Sequence, residues 1–176
     1  MAWGAYGKIP ALGDFVRIGL PPGFAGPWDR WLQEGMVAAR RRSGEDFAPR
    51  YNCAPVWRFA LSQGIAGPSA ASGVLIPSVD RVGRAFPLTL VAEARGAPPE
   101  PGEAAVLADA EEVALDALDP LAGREALVDA LARLGVPDGP HAPAGAVFWS
   151  DGLRLHDPSL LPGRLADLLL GHRETA

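Results

Sequence analysis

Gly4, Gly7 and Lys8 stand in the order a phosphate-binding loop uses, glycines ahead of a lysine. That loop needs four residues between its glycines, so that the backbone can wrap a phosphate, and a Ser or Thr after the lysine to hold magnesium. Here two residues separate the glycines and Ile9 follows Lys8, so both requirements fail. A serine nucleophile on a sharp elbow needs Gly-x-Ser-x-Gly, and Ser62, Ser72, Ser78 and Ser150 all lack it. The candidate bases are His141, His156 and His172, each in a loop or at an element end, and Asp157 beside His156 reads as an Asp-Pro turn. Cys53 is the single cysteine and reads as a small core residue. One Cys and three scattered His show no zinc-ligand spacing. Asp14, Asp29, Asp80 and Asp151 could supply oxygens to magnesium only if folding gathered them. The sequence therefore predicts no metal, no cofactor and no catalytic residue.

What remains is a set of charges inside apolar, Gly/Pro-defined segments: Lys8, Asp14, Arg58, Asp80, Arg81 and Arg84. Such charges cost free energy unless paired or hydrogen-bonded. One reading makes them internal salt bridges, Asp14 or Asp80 with Arg58 or Arg84, bracing loops. The other makes them a recognition surface for a partner or an anionic ligand. A third, enzymatic, reading directs Asp14, Asp80 and Arg81 at phosphorylated groups.

The chain holds 176 residues, with 21 glycines and 18 prolines, yet it is 48% hydrophobic and carries five tryptophans. A disordered polymer would lack that apolar content, so Gly and Pro punctuate a folded domain. At this length one domain is expected, residues 1–176. No apolar run approaches the roughly 18 residues of a membrane-spanning helix, and the start resembles no signal peptide. A lone cysteine fits a reducing, cytoplasmic setting. The net charge of -5 hides a polarity. Residues 1–95 hold eleven Lys/Arg against seven Asp/Glu, a basic half, and residues 96–176 hold five against fourteen, an acidic half of helices and a hairpin. The one basic run, Arg40 to Arg42, is followed by Glu45 and Asp46 and reads as a solvated helix end. The composition argues against a nucleic-acid partner.

These residues must be positioned by the elements around them. Residues 2–7 read as an opening strand, and 13–23 as a turn-rich stretch holding Phe15, Val16, Ile18 and Leu20. Trp28, Trp31, Leu32, Gly35, Met36 and Ala39 recur at helical spacing, which predicts an amphipathic helix over 25–43 stopped by Gly44 and makes Trp28 and Trp31 core. A short helix is expected over 45–51, then a half-buried strand at 55–61 and further strands at 72–77 and 86–92. The connections between these strands are too short for helical crossovers, so they should pair antiparallel. Residues 96–102 form a linker, followed by helical stretches at 103–118 and 121–134, the second capped by Gly135, and a loop at 137–145. Residues 146–156 form a hairpin turned by Asp151-Gly152, and 162–170 a final helix ended by Gly171. The expected class is α/β (α+β), a mainly antiparallel sheet with helices on both faces, in a single domain.

Four ordered blocks carry a family likeness: Gly4 to Pro10 (GAYGKIP) with Gly13 to Val16 (GDFV); Pro27 to Leu32 (PWDRWL); Ala54 to Leu61 (APVWRFAL); and Gly73 to Arg84 (GVLIPSVDRVGR) with Phe86 to Thr89 (FPLT). Together they resemble the TagF (ImpM) family of type VI secretion system-associated proteins, over roughly residues 3–92. The resemblance implies a cytoplasmic, non-enzymatic post-translational repressor of that apparatus in Gram-negative bacteria. It implies a forkhead-associated scaffold protein as partner, and no insertion into a membrane. A fused phosphatase domain, found in some relatives, has no room here. The family supplies no catalytic residues, so the candidate partner surface stays Lys8, Asp14, Arg58, Asp80, Arg81 and Arg84. The alternatives are the phosphate-directed enzyme and a structural accessory subunit of the apparatus.

Overall fold

A computed structural model describes residues 2–96, 105–139 and 144–171. The apolar alternation along the strands sorts side chains to two faces, and both faces are covered. In β3 (Trp57–Leu61), Trp57, Phe59 and Leu61 enter one core while Ala60 enters the other. In β8 (Ala146–Ser150), Ala146 and Phe148 go one way and Val147 and Trp149 the other. The strand expected to be half-buried is therefore buried on both faces, because helices from the acidic half lie over the face that carries Ala60.

Seven strands form one sheet in the order β2 (Val16–Ile18), β1 (Trp3–Gly7), β5 (Leu88–Glu93), β4 (Ala71–Ile76), β3, β8 and β9 (Leu153–Asp157), every neighbouring pair antiparallel. The fold is the expected antiparallel α+β sandwich of helices around a sheet. The stretch 13–23, read as turns, contains β2. A two-residue parallel pair, β6 (Arg95–Gly96) with β7 (Asp138–Gly139), forms at the start of the expected linker and within the expected loop, while linker residues 97–102 and loop residues 140–143 lie outside the described residues.

On one face pack α1 (Ala25–Ser43), α2 (Phe47–Asn52) and α5 (Pro162–Leu170); on the other α3 (Ala105–Asp116) and α4 (Arg124–Arg133). The helical stripe of α1 is the buried one: Trp28, Trp31, Leu32, Gly35, Met36 and Ala39 all face the core. Gly35 lets α5 approach, since a Cβ there would sit 2.5 Å from the Leu165 side chain. The α1–α5 seam is also wired by polar groups. Trp31 Nε1 donates to the Leu161 carbonyl at 3.0 Å, and from the sheet below, Trp57 Nε1 of β3 donates to the Leu168 carbonyl of α5 at 2.9 Å. Arg42 donates to both Asp167 and the Ala166 carbonyl, and Arg40 lies 4.3 Å over the Phe47 ring. Two of the three arginines expected to be merely solvated thus join the helices together. Opposite, Gly135 does not cap α4, whose helix ends into extended Leu134; its carbonyl instead accepts from Trp3 Nε1.

Candidate functional site

The glycines that resemble a phosphate loop have a packing reason. Gly7 sits at φ +131°, and a Cβ there would lie 2.0 Å from the Pro87 carbonyl oxygen. The strand end is thereby pressed against the segment that opens β5, which sends Lys8 beneath the loop joining β4 to β5.

That loop is organised by Asp80, whose side chain is fully buried. Its Oδ1 accepts the backbone N–H of Val82 at 3.1 Å and of Arg84 at 2.9 Å. Its Oδ2 accepts Lys8 Nζ at 2.9 Å and Arg84 Nε at 2.6 Å. Burial alone would raise the pKa of this carboxyl. The Lys8 ammonium, the two backbone donors and the Arg84 guanidinium outweigh burial and hold it well below the usual carboxylate range. Backbone bonds from Asp80 N to Arg84 O and from Gly83 N to Asp80 O close the turn, and Gly83 supplies its φ of +82°. Val79 bridges Ala85 at its base. Below it, Ser78 Oγ donates to the Lys8 carbonyl at 2.7 Å, while Tyr51 Oη both donates to Ser78 O and accepts Ser78 N–H. Burial pushes the Tyr51 phenol above its ordinary value.

The same loop is tied to the segment before β2. Arg81 N–H donates to the Leu12 carbonyl at 2.8 Å, and Arg84 Nη2 to Gly13 O at 2.8 Å. The Arg81 guanidinium lies over Gly13, where a Cβ would come within 3.3 Å of it. Phe15 packs edge-on against Phe86 at 4.8 Å, stacks with Tyr6 at 5.9 Å, and lies under Lys8 Nζ at 5.3 Å. Tyr6 donates its hydroxyl to Asp29 of α1. Its phenol is pushed above its ordinary value by burial and then by that carboxylate.

Five of the six sequence-derived residues, Lys8, Asp14, Asp80, Arg81 and Arg84, therefore fall on two loops bonded to each other. Lys8, Asp80 and Arg84 are paired internally. Asp14 is exposed and is not bonded to these cations. The Arg81 side chain is exposed, and the loop from Arg81 to Arg84 is exposed throughout. Arg58 stands apart from this group. It projects from β3 to α3, where Nε and Nη2 both bond Glu111 Oε2 at 3.0 and 2.9 Å. Two apolar residues at the loops escaped the charge-based reading, Phe15 (45% exposed) and Val82 (71% exposed).

The other chemical candidates resolve structurally. Asp157 is buried, its two oxygens accepting the N–H groups of Ser159 and Leu161, so it is a turn brace leading into α5. His156 is exposed and contacts the Ala144 carbonyl, while His141 and His172 lie outside the described residues. Cys53 is exposed, not a core residue, because α2 ends before it and turns it outward from Tyr51. Among the described residues no group of three or more His, Cys, Asp or Glu is placed to hold a metal ion, and no helix is long and apolar enough to cross a membrane.

A family model described as the TagF N-terminal domain, type VI secretion system-associated, matches residues 4–134. The chain belongs to the TagF family. The match contains both loops and every residue of the Asp80 network, and it ends before β8, β9 and α5. The crystal structure of PA0076 from Pseudomonas aeruginosa PAO1 resembles this TagF chain over those elements too. It has a TM-score of 0.85 and 29% identity, covering 99% of this chain and 96% of that one. A comparison with curated proteins gave no match. The TagF fold thus continues past the matched segment: β8 hydrogen-bonds to β3, and Phe148 lies in the same core as Trp28.

Proposed function

We propose that this TagF-family protein is a non-enzymatic, cytoplasmic regulator that restrains the type VI secretion system by binding its forkhead-associated scaffold protein. The observation that carries the reading is the family match over residues 4–134, which takes in every residue of the two joined loops. The chemistry of Asp80 supports a binding role over a catalytic one. Its two oxygens already accept four donors, which leaves little capacity to bind a metal or move a proton. A carboxylate so committed shapes a loop rather than reacting. The candidate contact residues are those the network leaves exposed, Arg81 above all, with Arg84 and Asp14 beside it, and Lys8 and Asp80 as the frame. Arg58, paired with Glu111, belongs to the packing of α3 on the sheet.

The test is co-purification of the full chain with the forkhead-associated scaffold from the same organism. A complex at micromolar concentration is the expected result, and its absence removes the mechanism. Metal-dependent turnover of a phosphorylated peptide, lost in Asp80→Ala, would establish an enzyme instead.

A further inference from the structure

The two joined loops leave a one-sided surface. Arg81 and Arg84 are exposed on the loops and Arg17 on the adjoining strand β2, against exposed Asp14 and half-buried Asp29, which accepts from Tyr6, the cross-strand partner of Arg17. Asp80 is buried between Lys8 and Arg84, so the three together present one net positive charge, carried outward on the exposed Arg84 side chain. Between the cations stand Phe15 and Val82, both open to solvent. We infer that this surface docks an acidic segment of a partner protein that carries an apolar side chain. Arg81, Arg84 and Arg17 meet its carboxylates, and Phe15 and Val82 its apolar group.

Three features support that occupant. First, the charge is complementary to acid and modest in size. Three exposed arginines on a chain of net charge -5 suit a short acidic segment; a nucleic-acid backbone needs a longer basic stripe. Second, the apolar residues are held out. Phe15 is fixed from behind by Phe86 and Tyr6, and Val82 follows an Asp80 whose carboxylate bonds its own N–H. An aromatic and an aliphatic side chain kept rigid in a cationic rim is the anatomy of a docking patch. Third, the backbone bonds Arg81 N to Leu12 O and Gly83 N to Asp80 O fix the loop before any partner arrives, so little ordering entropy opposes binding. The inference rests on the regulatory-binding reading for there being a protein partner, and not on which protein it is.

The experiment titrates the full chain against short fluorescent peptides in matched sets: acidic with one Leu or Phe, acidic without it, and the same apolar peptide with Lys for Glu. The acidic-apolar peptide should bind best, weaken as salt rises, and lose roughly tenfold in affinity on Arg81→Glu. Val82→Asp should weaken it similarly, and neither side chain is bonded within the chain, so both variants keep their melting temperature. Equal binding of the Lys peptide, or an Arg81→Glu variant that binds as the parent does, overturns the inference whether or not the scaffold forms a complex. Preferential binding of a single-stranded oligonucleotide would overturn it as well. So would self-association abolished by Arg81→Glu, since a second copy offers Asp116, Asp119 and exposed Leu121. Peptide binding as expected, combined with no scaffold complex, leaves this surface standing and removes only the scaffold as its partner.

Discussion

Replacing Phe148 by Ala tests whether the segment beyond the family match is part of the domain. Phe148 is fully buried, pairs in register with Phe59 across β3 and β8, and stacks on Trp31 at 5.5 Å. Truncating a buried Phe costs about 3–5 kcal/mol, the higher values where the site cannot collapse. Here collapse is restricted. Trp31 is anchored through Nε1 to Leu161 and Trp28 through Nε1 to Thr89, and both rings belong to one aromatic group with Phe59. The expected loss is therefore about 4–5 kcal/mol. At about 2–4 °C per kcal/mol for a chain of this size, the melting temperature should fall by about 8–20 °C. Urea unfolding followed by tryptophan fluorescence measures it, with the m-value unchanged. Leu153→Ala on β9, where the side chain is 60% exposed, should stay within about 0.5 kcal/mol of the parent. A Phe148→Ala chain within about 1 kcal/mol of the parent would show that Phe148 does not belong to the domain's cooperative core. The cooperative unit would then end with the matched segment.

Other expectations follow from the charged groups. The Asp80 carboxyl is held below its ordinary value of 3.8. Its contribution to stability is therefore complete above that pH and fades as pH falls through the lower folded-state value. Asp80→Asn should flatten that acid limb in urea midpoints taken from neutral to strongly acidic pH. It should also lower stability at neutral pH, because Lys8 loses its counter-ion; an unchanged acid limb would contradict the network. Arg58 and Glu111 are each about a third exposed, so a double-mutant cycle should return no more than about 1 kcal/mol. Loss of partner binding in Arg58→Ala would place the docking surface elsewhere.

Much of the fold was legible because side-chain periodicity reports burial directly. The spacing from Trp28 to Ala39 predicts residues 25–43, and α1 spans Ala25–Ser43. Asp151-Gly152 predicts the β8–β9 hairpin, and both residues adopt positive φ. Short connections predict antiparallel pairing, which holds throughout the seven-stranded sheet. Less legible was whatever depends on the rest of the chain. β2 has only three residues, too few to show a period, and it exists because β1 offers it an edge. The burial of Ala60 was hidden because α3, more than forty residues away, covers it. The charged set was found by its unlikely neighbours, but its partition depended on tertiary approach. Asp80 could have paired with Arg58 as well as with Arg84. Lys8 takes the remaining position because the Gly7 turn brings it under the loop, while Arg58 leaves the sheet beside Glu111. Phe15 was read only as one of an apolar cluster and Val82 only as part of a charged loop, because an exposed apolar residue looks the same in sequence as a buried one.

The most direct measurement is a calorimetric titration of the forkhead-associated scaffold with the full chain and with its Arg81→Glu variant, alongside melting curves for both. A micromolar or tighter complex is expected for the parent, a clear loss of affinity for the variant, and the same melting temperature for the two. Equal affinity of parent and variant would contradict that expectation, and a collapsed melting temperature in Arg81→Glu would return that arginine to a structural role.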